Sequence, residues 1–156
     1  MKKNILIIAI IFSVNSLFGQ DFTQLENYEF KTTESYQTEK SNVLIAANYL
    51  FENPANKHEI NRLTSLQYII KWMTGTPDYT FELEDNAMKL TKGNSDLLGL
   101  YMAAMTKVVL ENKGGNLTNE EIYNRSEELL VNYCGNSNNK MKPSKKIKKI
   151  LKSRKN

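Results

Sequence analysis

Apolar residues recur with the period of an α-helix over most of the chain beyond residue 40. The first apolar stripe covers residues 43–50, and the second covers residues 60–73. This spacing places the apolar side chains on one face of a helix. Pro54 ends the first helix, and Gly75 with Pro77 ends the second, because proline cannot continue a helix and glycine tolerates the cap conformation.

A third segment, from Leu97 to Leu110, is apolar on almost every side. A helix that is hydrophobic all round is a buried one, so a central helix is predicted at about 95–112. Asn94 is positioned to cap its first turn. Thr118 and Glu121 have the spacing of a capping box for the following helix.

These patterns predict an all-α protein, either an irregular five- to six-helix bundle or an orthogonal array around the central helix. Only residues 78–84 alternate as a strand would, and a short helix is expected to follow them. The predicted organisation is a signal peptide (1–19), a polar leader that docks by its aromatic rings (20–40), a helical domain (41–135), and a linker with a basic C-terminal tail or helix (136–156).

The first nineteen residues have the pattern of a secretory signal peptide. Two lysines precede an apolar run over residues 5–18, and small or aliphatic residues lead to Gly19. The run is too short for a bilayer that needs roughly 20 apolar residues. We therefore expect export to the periplasm or the medium, cleavage before Gln20, and no transmembrane span in the mature chain.

Charge divides the mature chain into two parts. Residues 20–139 hold 10 Lys/Arg and 17 Asp/Glu, whereas residues 140–156 hold 9 Lys/Arg and no acid. The tail is expected to bind an anionic surface, to fold back on the acidic body, or to remain a solvated end. Sequence-specific nucleic-acid binding is not expected, since the tail has one guanidinium and no aromatic ring. The candidate anion-binding residues are Lys145, Lys146, Lys148, Lys149, Lys152 and Arg154.

Catalytic residue sets are sparse. His58 is the only histidine and Cys134 the only cysteine, so neither a histidine-based triad nor an internal disulfide is available from this sequence. Cys134 lies on an apolar stripe and is expected to be buried. We expect no catalysis, cofactor or metal. The cluster of Glu82, Glu84 and Asp85 leaves a carboxylate-dependent hydrolase of envelope polymers as an alternative.

The segment from Trp72 to Phe81 combines three aromatic rings with a Gly/Pro turn. It is expected either to line a groove for a peptide or glycan or to pack its rings against the central helix. The candidate binding residues are Tyr68, Trp72, Thr76, Asp78, Tyr79, Phe81 and Tyr101.

Residues 66–113, with Trp72–Tyr79 followed by Asp96–Ala104, resemble small exported all-helical proteins of unknown function from Bacteroidetes-type bacteria. A fainter similarity, carried by Tyr68, Gly75 and Asp78, is to periplasmic immunity proteins of the Rap1a/Tai type, which rely on cysteine pairs that this chain lacks. The leading hypothesis is an exported helical domain that binds a protein or an anionic envelope surface. The second similarity implies neutralisation of an exported toxin as another alternative.

Overall fold

The computed structural model describes residues 22–155, and this part of the chain is all-helical with no strand. The predicted signal peptide lies outside the described residues. The described part contains eight α-helices and a 3₁₀ turn at Ser137–Asn139. The helices are α1 (Thr23–Glu26), α2 (Thr33–Thr38), α3 (Lys40–Glu52), α4 (Ile60–Gly75), α5 (Asp85–Thr91), α6 (Ser95–Glu111), α7 (Asn119–Gly135) and α8 (Lys145–Ser153).

The predicted caps of α6 and α7 are confirmed. The Asn94 side chain accepts the N–H groups of Asp96 and Leu97 at the start of α6. Thr118 and Glu121 form a reciprocal capping box at the start of α7. These bonds satisfy N–H groups that have no partner within the helix, and each such cap is worth about 1 kcal/mol.

Helix α6 is buried along most of its length and packs against α3, α4, α5 and α7. Gly99 allows one of these contacts to be close, since a Cβ atom there would lie 2.8 Å from a methyl carbon of Leu66 on α4. Cys134 on α7 is buried, as predicted. Burial raises the pKa of its thiol to about 11, so this cysteine is an unreactive part of the core.

Residues 22–38, called the N-terminal strap below, cover part of α4. The rings of Tyr28 and Phe30 lie 5.8 and 5.2 Å from that of Tyr68. The Trp72 indole N–H donates to the carbonyl oxygen of Tyr36 at 2.9 Å. The predicted leader thus docks through its rings, and it includes two short helices.

Residues 78–84 form no strand despite their alternating pattern. A strand is stable only when it pairs with another strand, and no other strand is present among residues 22–155. The rings of Tyr79 and Phe81 pack instead near Trp72, with centroid distances of 5.7 and 6.1 Å. Leu83, at the end of the segment, remains 45% exposed.

The basic tail forms α8, which packs against α7 and α5. Ile147 is completely buried. Lys146 pairs with Glu127 at 3.5 Å, and Arg154 pairs with Glu128. Of the three expectations for the tail, the solvated end is therefore wrong, because an apolar stripe anchors the helix and two of its cations meet acids of the body.

Replacing Gly75 with alanine should weaken the docking of the N-terminal strap. A Cβ atom there would lie 1.9 Å from the Tyr36 hydroxyl oxygen and 2.5 Å from its ring, so the ring must move. We expect a loss of about 1–3 kcal/mol in the free energy of unfolding, as for other overpacked sites. Urea titration followed by circular dichroism measures it, and limited proteolysis between residues 22 and 38 reports the displaced strap.

Gly115→Ala is the matched control, because a Cβ atom at Gly115 meets nothing within 4 Å. It should change stability by less than about 0.5 kcal/mol. Equal stabilities and equal cleavage for the two variants would show that the close approach of Tyr36 to Gly75 has no energetic role.

Candidate anion-binding site

Three of the seven candidate binding residues, Tyr68, Trp72 and Tyr101, are core residues. These residues are at most 2% exposed, so a ligand larger than a water molecule does not reach them without rearrangement of the fold. The Tyr101 ring lies 6.4 Å from that of Tyr123. The expectation of a groove lined by Trp72 is corrected accordingly: its ring is enclosed by the strap and by the residues that follow α4.

The other four candidates belong to the segment that is tied down beside the strap. Thr76 is buried, whereas Asp78 is exposed and receives hydrogen bonds from Gln37 and Lys40, the latter at 2.6 Å. The bond from Lys40 holds the pKa of the Asp78 carboxyl below its usual range. Tyr79 and Phe81 are half-buried. Asp78 and Tyr79 line one side of an open polar cleft of about 300 Å³.

The fold brings two of the three candidate hydrolase carboxylates to one cleft and places the third elsewhere. Glu82 and Glu84 line a cleft with Tyr101 and Tyr123, while Asp85 lines a different groove. The cleft between the two glutamates has a volume of about 10 Å³, which accommodates about one water molecule. A sugar ring does not fit there without movement of the surrounding side chains.

A second kind of site is formed where α8 meets the turn between α5 and α6. This site is a groove of about 650 Å³, called the lysine groove below because lysines make up most of its wall. Gly93, Asn94, Pro143 and Ser144 also line it. No Asp or Glu of the described chain lines it. Seven lysines from two separate stretches of the chain surround it: Lys89, Lys92, Lys142, Lys145, Lys146, Lys148 and Lys149.

Helix periodicity explains why α8 presents its lysines to solvent. Ile147, Ile150 and Leu151 form the side that packs against the core. The remaining side carries an exposed stripe of lysines with the spacing i, i+3, i+4 and i+7, namely Lys145, Lys148, Lys149 and Lys152. Residues at this spacing lie on one helix face. Lys152 belongs to the stripe but lies beyond the groove.

The end of α5 and the turn that follows it add Lys89 and Lys92 to the groove. Gly93 has a φ of 81°, a conformation that glycine adopts without strain. The Asn94 amide nitrogen donates to the Lys142 carbonyl oxygen at 2.8 Å. This contact joins parts of the chain 48 residues apart. It brings Lys89 and Lys92 beside the segment that leads into α8.

Six of the seven groove lysines are exposed and have no carboxylate partner among residues 22–155. The exception is Lys146, which pairs with Glu127 and donates to the Tyr123 hydroxyl at 2.8 Å. Arg154 also falls outside the site, since it is bound to Glu128 and Asn132. The groove is therefore a concave surface of one sign of charge, which concentrates anions.

Helix dipoles strengthen this field. The N-cap residues of α6 and α8, Asn94 and Ser144, both lie in the groove wall. A helix N-terminus carries a partial positive charge, so both helices favour an anion here.

Among residues 22–155, no group of three His, Cys, Asp or Glu side chains is placed to hold a metal ion, and no helix has the length and apolarity to cross a membrane.

The C-terminal run of lysines predicts four of the groove residues and gives no indication of Lys89, Lys92 and Lys142. No local signal in the sequence joins these three to α8, since the Asn94–Lys142 contact does so in the folded chain. Comparison with protein-family models, with curated proteins and with solved structures finds no match.

Substitution of Asn94 separates its two roles. Asn94→Ser keeps an oxygen that caps α6 but is too short to reach Lys142, whereas Asn94→Ala loses both bonds. We expect the alanine variant to be about 1 kcal/mol less stable than the serine variant in urea unfolding. In both variants, hydrogen exchange of residues 141–147 should accelerate relative to the parent protein. Unchanged exchange in both would show that the bond to Lys142 does not hold the groove together.

Proposed function

We propose that this chain is an exported, non-enzymatic protein that binds the anionic surface of the cell envelope through the lysine groove, on an irregular helical bundle built around α6. The observation that carries the proposal is the set of six exposed lysines without carboxylate partners around one concave surface. The signal-peptide pattern at residues 1–19 supports the location, and the groove supports the chemistry.

The arrangement of α8 favours peripheral binding over insertion. Ile147 is buried against the body, so the apolar stripe of the helix is already used in packing. Insertion of an amphipathic helix into a bilayer requires that stripe to be free. The lysine stripe faces solvent and is the part of α8 that meets a surface. Lysine side chains with long apolar stems extend their ammonium groups toward it.

The expected affinity is modest. A lysine near an anionic membrane surface contributes about 1 kcal/mol at low screening. Three or four simultaneous contacts therefore supply about 3–4 kcal/mol, which corresponds to a dissociation constant of the order of a millimolar. Such binding is reversible and salt-dependent, because the screening length falls to about 10 Å at 0.1 M salt.

Nucleic acid is a poorer fit to the same surface. Single strands are held by aromatic side chains that stack on the bases, and no aromatic ring of the described chain lines the lysine groove. Arg154, the guanidinium of the tail, is engaged by Glu128. The groove thus offers point charges for phosphate groups without a surface on which bases stack.

Vesicle binding tests the proposal. Full-length mature protein should sediment with vesicles that contain phosphatidylglycerol and not with phosphatidylcholine vesicles. Lys148→Gln together with Lys149→Gln should lower the partition coefficient by about 30-fold, because two contacts are removed. Glutamine is a good helix former, so α8 is retained. Raising the salt concentration to 1 M should abolish binding of the parent protein.

The matched control is Lys31→Gln together with Lys113→Gln, which removes the same charge from exposed lysines outside the groove. It should bind vesicles almost as the parent protein does. If both double variants lose affinity equally, the net charge of the chain and not the groove is responsible. Tighter binding to DNA than to anionic vesicles at the same salt concentration would assign the groove to nucleic acid instead.

A further inference from the structure

We infer that the site accommodates one anionic amphiphile, with a phosphate-bearing headgroup among the lysines and an acyl chain along a second groove beside them. This inference rests on the proposed function and narrows it from binding of a charged surface to capture of a single lipid molecule. The observation behind it is a groove of about 580 Å³ that shares Lys89, Lys92, Gly93 and Asn94 with the lysine groove.

This second groove, called the methionine groove below, differs chemically from the first. Met88 of α5 and Leu98 of α6 line it together with Thr91 and Ser95. Met88 is 48% exposed although it follows the buried Ala87, and Leu98 is half-exposed. Methionine is flexible and polarisable, and it adapts to apolar ligands of irregular shape. The methionine groove therefore offers apolar contacts, which suit an acyl chain and not a phosphate group.

The distribution of charged residues sets the orientation of the ligand in the two grooves. Asp85 lines the methionine groove and not the lysine groove. An anionic headgroup is repelled by Asp85 and attracted by the lysines, so it occupies the lysine groove. The apolar chain is then directed toward Met88 and Leu98. The shared residues Lys89 and Lys92 lie where the two parts of the ligand join, with stems that contact a chain and ammonium groups that meet a phosphate.

Size is consistent with a small amphiphile. Each groove falls within the range of about 300–1,000 Å³ that is typical of small-molecule sites. An acidic peptide fits less well, because an extended peptide needs partners for its main-chain N–H and C=O groups. The Asn94 side chain is not available for this role, because its amide nitrogen donates to the Lys142 carbonyl oxygen and its oxygen accepts the Asp96 N–H group.

The probe for the experiment is dihexanoyl phosphatidic acid, kept below the concentration at which it forms micelles. Isothermal titration of the full mature chain should show binding at least about tenfold tighter than that of glycerol 3-phosphate, which has the headgroup chemistry without the chains. Dihexanoyl phosphatidylcholine, with the same chains and no net charge, should bind at least about tenfold more weakly than the phosphatidic acid because lysine contacts are lost.

Met88→Ser should reduce the affinity for dihexanoyl phosphatidic acid by about fivefold to tenfold, since apolar contact area is lost. Met88→Leu, which keeps the side-chain volume, should restore it. The matched control is Leu83→Ser. Leu83 is 45% exposed, close to the value for Met88, and lies outside both grooves. Both side chains are at the surface, so the serine variants are expected to fold, and circular dichroism checks this.

The outcomes separate the two proposals. Suppose that anionic vesicles bind through Lys148 and Lys149, but that dihexanoyl phosphatidic acid binds no tighter than glycerol 3-phosphate, or that Met88→Ser has no effect. The capture of a single lipid is then wrong and the surface-binding function stands. If neither vesicles nor the short-chain lipid bind, both proposals fail. Tighter binding of a polyglutamate peptide than of the lipid would also overturn the inference.

Discussion

The burial of α6 on nearly every side is the constraint on which the rest of the structure depends. A helix with apolar residues all round must be covered all round, and the chain uses α3, α4, α5 and α7 to do so. Each covering helix then needs an apolar face toward α6 and a polar face toward solvent. Surface features that are available for binding are consequently confined to the outer faces of these helices and to their ends.

Helix α4 also has a second apolar face, which is turned toward the N-terminal strap. Tyr68 and Trp72 extend from it toward the N-terminal strap, which covers them with Tyr28, Phe30 and Tyr36. As a result, Tyr68 and Trp72 are part of the hydrophobic core. The residues that follow α4 are also held in place, because Gln37 of the strap and Lys40, the first residue of α3, bind Asp78.

Features that depend on neighbouring residues were predictable from the sequence, whereas features that depend on the orientation of helices were not. Asn94 and Thr118 cap their helices through bonds to residues two or three positions away, so the pattern alone identified them. The sequence places Tyr101 in one set of candidate binding residues with Trp72, but in the fold its ring packs near that of Tyr123. An evenly apolar helix gives no indication of which side faces which neighbour.

The candidate site shows the same division. The exposed stripe on α8 follows from the spacing of Lys145, Lys148 and Lys149 and from the apolar residues opposite. The contribution of Lys89 and Lys92 depends on the contact between Asn94 and Lys142, which no local pattern encodes. The sequence therefore indicates a basic tail, and in the folded chain this tail forms one wall of the lysine groove.

The distribution of charge on α8 is consistent with the proposed anion site. Like charges at i, i+3 and i+4 on a helix destabilise it by about 0.2–0.5 kcal/mol per pair, and α8 contains several such pairs. The body has a surplus of acids, yet within residues 22–155 it pairs with α8 only through Lys146 and Arg154. Those two pairs hold the helix in place, and the remaining lysines repel one another until an anion approaches. Under the proposed function, an anion between these lysines would relieve the repulsion and would stabilise the docked position of α8.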